Sequence, residues 1–394
     1  MTHPSRLIVL LAALVAFAPL SIDTYLPSLP SLAQDLTADT GRVQMTIGVF
    51  LAGLCIGMLF HGPCADRYGR RPVLLWGMVL YLAATIGCMA AGSVEQLIAW
   101  RFLQGVGGAA ASVLARTIVR DIFPLNESAR ILSLMHLVTM LATLVAPLAG
   151  SFLMLLDGWR AIFAGLFCFA AICLSASLLF IPETHPVERR AGTFRAAVAA
   201  YWQIARNSRA LALILCMGLS FGGMFAFITA SPYVYIVYFD VSPRDYGLLF
   251  ALNIAGVIVV TLLNARLVGR YGPLAMLGVG AAIITVAALG LGFLGSAGVR
   301  SLEGIVLLVV LYVSVTGLMG ANCVASLLKL FPANAGAAAG LAVSMQFAMG
   351  AAFSALVGAL ADGSPRPMCL VIAGAGMGAA LCYGWIRIKS MATR

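Results

Sequence analysis

Apolar runs of about twenty residues follow one another along most of the 394-residue chain, each closed by a short polar connection. A helix needs roughly 20 apolar residues to cross a bilayer core. The punctuation predicts twelve such helices, near 6–27, 43–65, 73–92, 97–118, 131–156, 160–182, 210–238, 245–266, 273–295, 303–328, 335–361 and 367–387. The longest polar stretch, Glu183 to Arg209, separates the sixth from the seventh. The expected fold is therefore an all-α membrane protein, with a six-helix bundle at 1–184, a linker at 185–209 and a second six-helix bundle at 210–394. In the linker, Phe194, Val198, Trp202 and Ala205 recur at helical spacing, which predicts a short amphipathic helix on the inner membrane face. A linker without regular structure is the alternative. The first segment is long and lacks a small-residue cleavage site, so it reads as a retained helix rather than a signal peptide.

Composition agrees with this pattern. Charged residues make up 10% of the chain and apolar residues 62%, with a mean hydropathy of +1.02. Soluble domains carry about 25% charge. The net charge of +10 is not a nucleic-acid footprint, because it is spread with a bias. Counting connections alternately, 18 Lys/Arg fall on one side, including Arg6, Arg67, Arg70, Arg71, Arg189, Arg190 and Arg394. Five fall on the other, and Arg101 is left inside a helix. By the positive-inside rule both termini are cytoplasmic. The nine cysteines lie in or at the ends of apolar segments without CxxC spacing, and the four histidines are scattered, so neither a disulfide framework nor a metal site is expected. His136, alone within a span, reads as a packing or helix-bonding residue, with a proton relay as the alternative.

Asp23 stands apart from the other thirteen acids, which fall in or beside polar connections. A charge in hydrocarbon costs several kcal/mol, so an intramembrane carboxylate is by default a proton, ion or substrate site. Burial disfavours its charged form, which suits it to loading and releasing a proton. Arg101 is its candidate partner. Asp23 lies about 25 Å up a helix rising from the cytoplasm, and Arg101 about 24 Å up a 30 Å core on a descending one. Equal depth leaves lateral distance open.

Three segments carry spacing that topology alone does not explain. The second connection reads Gly62-Pro-Cys-Ala-Asp66-Arg67-Tyr-Gly69-Arg70-Arg71. There Gly62 is expected to permit close helix contact, Asp66 to hold an arginine or a helix N-terminus, and Gly69 to allow a tight reversal. Arg67-Tyr68-Gly69 recurs as Arg270-Tyr271-Gly272 after the eighth span, the trace of a repeat between halves. The fourth span holds Leu97-x-x-x-Arg101-x-x-Gln104-Gly105-x-Gly107, and the fifth holds Ala142-x-x-x-Ala146-Pro147-x-Ala149-Gly150. Small residues in both let helices approach closely, and Pro147 frees a carbonyl. Arg101 tying helices together through backbone carbonyls is the bland reading of the fourth span.

The second connection resembles the signature loop of the major facilitator superfamily at every defining position, which implies that Gly62, Asp66, Arg67, Gly69, Arg70 and Arg71 gate the cytoplasmic side. The fourth-span pattern is similar to that of the superfamily's proton-coupled members, whose arginine is linked to proton transfer. The fifth resembles its antiporter motif, with Ala146 standing where glycine is usual before Pro147 and Gly150. Ser21-Ile-Asp23-Thr-Tyr25-Leu-Pro27, Pro182-Glu183-Thr184 and Phe221-Gly-Gly-Met-Phe225 look like the bicyclomycin/chloramphenicol-resistance branch of the drug:proton antiporters. The resemblance covers essentially the whole chain. It implies efflux of small amphipathic drugs across a bacterial inner membrane in exchange for protons, with Asp23 as the coupling carboxylate, no cofactor and a monomeric protein.

Tyr25, Gln44, Met45, Gln104, Phe225, Tyr233, Asn253 and Gln346 are candidate cavity residues, since a permissive pocket needs apolar and aromatic surface with few polar anchors. Each has a structural alternative as helix glue or packing. Export of a metabolite such as an amino acid or sugar is the nearest competing function. An intramembrane enzyme should gather several nucleophiles or bases at one depth, and only Asp23 and Arg101 are offered. A sensor should carry an extramembrane domain, and no segment is long enough.

Overall fold

The computed structural model describes residues 4–185 and 194–391, and among them all regular structure is helical. Residues 186–193 of the linker lie outside the described residues, as does Arg394, so Arg189 and Arg190 are not placed.

Proline and glycine set where the helices break. The first crossing is three pieces, α1 (Pro4–Val15), α2 (Phe17–Asp23) and α3 (Leu29–Asp35), bent by 40° after Val15. Pro19 has no N–H to give Val15, and Pro27 none to give Asp23, so each carbonyl four residues upstream loses its helical partner. The single helix expected at 6–27 is thus broken twice, and it runs on to Asp35. Next come α4 (Thr40–Tyr68), α5 (Arg70–Met89), α6 (Val94–Ile122) and α7 (Leu125–Phe180). At 56 residues α7 would be about 84 Å long if straight, far more than a 30 Å core needs. It is two crossings, because Asp157 and Gly158 leave helical geometry and Gly158 adopts φ 56°. A short α8 (Phe194–Arg206) precedes α9 (Ser208–Pro232), which runs into a π-helical turn at Tyr233–Tyr238. The rest are α10 (Pro243–Tyr271), α11 (Pro273–Ala297), α12 (Leu302–Ser314) with α13 (Thr316–Leu330) as one interrupted crossing, α14 (Ala335–Ala359) and α15 (Arg366–Met391). Among the described residues, with α7 taken as two, this makes twelve crossings.

The chain forms two compact units, Met1–Asp39 with Val49–Ala197 and Thr40–Gly48 with Val198–Arg394. In the first, Leu11, Leu14, Phe17, Leu74, Tyr81, Leu114 and Ile118 make the core. Its α6 is a small-residue helix approached closely from two sides. A Cβ on Gly105 would overlap the Phe50 carbonyl oxygen of α4, and one on Gly107 would lie 2.5 Å from the Tyr81 nitrogen of α5. Gly62 behaves otherwise than expected: a Cβ there would meet no atom within 4 Å, so the close approaches of α4 are made by Gly53 and Gly57 instead.

In the second unit α9 packs against α14 and α15. Gly222 and Gly223 leave room for the rings of Phe353 and Tyr312. Ile204 of α8 is fully buried in this core, whereas Val198 and Trp202 stay exposed and Arg206 stacks 5.0 Å from the Trp202 ring. The described sequence repeat has a structural counterpart. Gly69 (φ 101°, ψ 155°) ends α4 and Gly272 (φ 79°, ψ 160°) ends α10, each after an Arg–Tyr stack, of 5.3 Å at Arg67–Tyr68 and 5.4 Å at Arg270–Tyr271. The charges around the turn are not repeated: Gly269 and Pro273 stand where the first half has Asp66 and Arg70.

Candidate functional site

Asp23 is the last residue of α2 and, among the described residues, the only acidic side chain that is buried, at 5% exposure. The chain reaches it through a short helix and leaves it through a 3-10 turn at Leu26–Ser28, an irregularity imposed by Pro27. The side chain of Thr143, from α7, lies beside the carboxyl. Two turns further along the same face of α7, Gly150 comes against the backbone of Thr24, where any Cβ would overlap the Thr24 carbonyl oxygen. Ala146, fully buried, and Pro147 lie between them. The fifth-span motif is thus wrapped around the Asp23 turn.

Arg101 is fully buried too, but on the other side of that turn. Its Nη1 donates to the Ser21 carbonyl at 3.1 Å and to Gln104 Oε1 at 2.7 Å. The guanidinium sits 4.3 Å from the Phe50 ring centre, 4.7 Å from that of Tyr25 and 5.8 Å from that of Phe163. Rings at such distances attract a cation. Gln104 Nε2 goes on to Thr85 Oγ1 at 2.8 Å, and Ser21 Oγ meets Tyr81 Oη at 2.6 Å. Nε and Nη2 of Arg101 have no hydrogen-bond partner. Among the described residues no ion pair joins Arg101 to Asp23. The reason is azimuth: Ser21 and Tyr25 flank Asp23 by two residues, and side chains two apart on a helix point in nearly opposite directions. The direct pairing expected of Arg101 and Asp23 is therefore not made in this structure.

At the α4–α5 connection the signature residues form a latch within the first unit. Arg70 pairs with Asp66 and, through Nε, with Asp121 Oδ2 at 3.2 Å. Its backbone N–H donates to Glu183 Oε1 at 2.9 Å, and Thr184 Oγ1 donates to Asp121 Oδ2 at 3.0 Å. Arg71 Nη2 donates to the Leu178 carbonyl at 2.8 Å. Arg67 is turned to Tyr68 instead. Asp121, Glu183 and Thr184 had been given no role from sequence. An acid closing α6 among arginines, and another closing α7, were the available signals.

The cavity candidates are not gathered in one place. Tyr25 and Gln104 belong to the Arg101 cage. Gln44 and Tyr233 line one cavity of ≈ 100 Å³ in the second unit. Gln44 Oε1 and Asn253 Oδ1 are buried without a hydrogen-bond partner, and Asn253 Nδ2 donates to its own helix at Leu249. Phe225 is buried, 4.8 Å from the Phe221 ring, which in turn meets Phe347 at 5.4 Å. Met45 is exposed and Gln346 half-buried. His136 is exposed on α7. A larger groove of ≈ 560 Å³, lined by residues such as His61, Tyr68 and Trp76, touches neither Asp23 nor Arg101.

Twelve crossings in two units, a glycine-turned arginine latch and one buried carboxyl define a secondary transporter, and the chain belongs to the Major Facilitator Superfamily, whose model matches residues 10–354. Among its relatives, the bicyclomycin resistance protein homolog of Haemophilus influenzae is 31% identical across 98% of this chain and 97% of its own. The multidrug resistance protein MdtL of Escherichia coli is 30% identical across 68% of each chain. Solved structures share the fold at lower identity. The xylose transporter XylE from E. coli superposes with a TM-score of 0.73 at 18% identity, covering 95% of both chains. A nucleoside transporter, NupG, gives 0.75 at 14%, covering 97% of this chain and 99% of its own. The chain is a multi-pass membrane protein of a family that moves small molecules.

Proposed function

We propose that this protein exports small amphipathic drugs, bicyclomycin- or phenicol-like antibiotics among them, across a bacterial inner membrane in exchange for protons. The observation that carries the reading is Asp23, among the described residues the one buried acid and one without an ion-pair partner, where the antiporter-type motif packs on its turn. A neutral acid is tolerated in a membrane core and a bare carboxylate is not, so a carboxyl that gains and loses a proton ties loading to conformation. The drug-resistance names of the relatives support the substrate class.

The parts then take distinct roles. Asp23 carries the proton. Arg101, locked in its cage, holds the α2 turn and α6 in register and keeps a fixed positive charge near the site. The Arg70 latch stabilises one of the two access states and opens in the other. Tyr25, Gln44, Met45, Gln104, Phe225, Tyr233, Asn253 and Gln346 supply drug-contacting surface. The charge bias puts both termini in the cytoplasm. There α8 lies on the inner leaflet, supported by an exposed stripe of Arg195, Val198, Trp202 and Arg206 that contains no acid. The protein works as a monomer, with the proton gradient as its energy source and no cofactor.

The test uses purified protein in proteoliposomes, with bicyclomycin and chloramphenicol as probes and a panel of amino acids and sugars beside them. Drug-induced proton release and gradient-dependent drug uptake, both lost in Asp23→Asn, are the expected result. Transport of a panel metabolite with neither drug moved would favour the metabolite exporter.

A further inference from the structure

Asp23 opens onto a stretch that cannot hold itself in place. Beyond it the first crossing consists of the 3-10 turn at Leu26–Ser28 and the seven-residue α3, and helices shorter than about 12–15 residues are marginal on their own. The stretch takes its position from α7, which grips it at three points. Thr24 is pressed against Gly150. The Tyr25 ring lies 5.5 Å from that of Phe163, which is fully buried. Asp35, the last residue of α3, accepts from Trp159 Nε1 at 2.8 Å and from Arg160 Nη1 at 2.9 Å, both on Oδ2. Between these anchors Leu29 and Leu32 are fully buried.

The third anchor is built by the break in α7. Gly158 leaves helical geometry, so the second crossing of α7 begins at Trp159, and Phe163 follows one turn later on the same face. The two rings meet edge-on at 6.0 Å. The Arg160 guanidinium stacks 4.1 Å from the Trp159 ring centre, and its Nη2 donates to the Ala91 carbonyl at 3.2 Å. Ala91 lies just past the end of α5, at the far end of that helix from Arg70 and the latch. The two partners of Asp35 are not equal. Arg160 and Asp35 are 39% and 49% exposed, and exposed ion pairs contribute little. Trp159 is buried, its indole N–H needs an acceptor, and a charged acceptor makes the stronger bond.

We infer that Trp159 is a positioning residue for the Asp23 turn. Its N–H holds the far end of the strap through Asp35. Its ring backs Phe163, against which Tyr25 and the Arg101 guanidinium rest. Trp159 acts through these rings and not on the carboxyl itself. Asp23 is thereby made to travel with α7, and the proton it carries is tied to the movement of that helix.

This role rests on reading Asp23 as the proton site, and two readouts on the reconstituted full-length protein keep the two apart. Backbone hydrogen exchange over residues 24–36 reports the strap and needs no drug. Protons released per bound bicyclomycin or chloramphenicol, at one fixed pH, report the proton site. Trp159→Phe keeps a ring against Phe163 and removes the N–H, whereas Asp35→Ala removes the acceptor. Each should raise exchange over residues 24–36 about tenfold, the worth of one hydrogen bond to a charge. Each should also lower the protons released per drug while leaving drug affinity near wild type. The double variant should be no worse than either single one, because both remove the same bond. The two variants reach that bond from opposite sides, so one decides the matter if the other does not fold. Arg160→Gln should have the smaller effect, and Trp76→Phe, at an exposed ring on α5, should match wild type. Unchanged exchange in Trp159→Phe and Asp35→Ala overturns the strap, and faster exchange with undiminished proton release overturns the positioning role. A wild-type protein that binds drug without releasing protons overturns the proton-site reading itself, while the exchange result still decides the strap.

Discussion

Gly150 and Thr24 meet backbone to backbone: the α7 glycine lies where any side chain would overlap the Thr24 carbonyl oxygen, one residue from Asp23. This contact ties the small-residue motif of the fifth span to the buried carboxyl. It also makes Gly150 a sensitive position. Gly150→Ala should force the α2 turn and α7 apart and destabilise the protein by about 1–3 kcal/mol, the usual cost of overpacking. Thermal unfolding in detergent measures that loss, and transport should fall with it. Gly62→Ala is the control. It meets open space and should leave stability unchanged.

Asp23→Asn keeps the shape and neutrality of the protonated acid. The variant should fold and insert normally, bind drug, and fail to couple drug movement to protons. Equilibrium drug binding together with proton release from the same preparation checks this. Gradient-driven transport by the purified variant at the wild-type rate would refute the assignment.

Arg101 is held by geometry as well as by charge. Lysine in its place cannot lie flat among Phe50, Tyr25 and Phe163 while bonding both the Ser21 carbonyl and Gln104. Arg101→Lys should therefore rescue little of the Arg101→Ala defect, with a loss of stability on the order of 2 kcal/mol in either variant. Full activity in Arg101→Lys would mean that charge alone matters.

The Arg70 latch predicts a graded series. Asp66 is half exposed (48%) while Asp121 is better covered (24%), and both hold Arg70. Exposed pairs are worth about 1 kcal/mol or less, so Asp121→Asn should bias the two access states more than Asp66→Asn does. Gly69→Val strains a φ of 101° by roughly 1–3 kcal/mol and should disturb transport through the turn itself. Cysteine accessibility from the side of the latch reports the bias. Equal, wild-type accessibility in all three variants would reduce the loop to a topology signal.

Much of this architecture was legible in the chain alone. The lengths of apolar runs set the number of crossings, because hydrocarbon thickness and helix rise leave little choice. Gly158 breaks α7 between the two spans expected at 131–156 and 160–182, while the prolines at 19 and 27 adjusted the picture by splitting the first crossing into three helices. Asp23 was singled out by depth, and the Arg–Tyr–Gly turn by its recurrence. What depth could not supply was direction. Counting residues locates a side chain along the membrane normal, whereas its partners depend on how helices distant in sequence rotate against one another. That rotation turned Arg101 to Ser21 and Tyr25 and set the Asp23 turn against Gly150. It also brought Asp121 and Glu183, 51 and 113 residues from Arg70, into one latch. The sequence alone determined which segments are long and apolar enough to cross a membrane. Tertiary packing decided which of them touch, because contact across helices is set by side-chain azimuth and close small-residue approach, and neither is encoded in any local stretch.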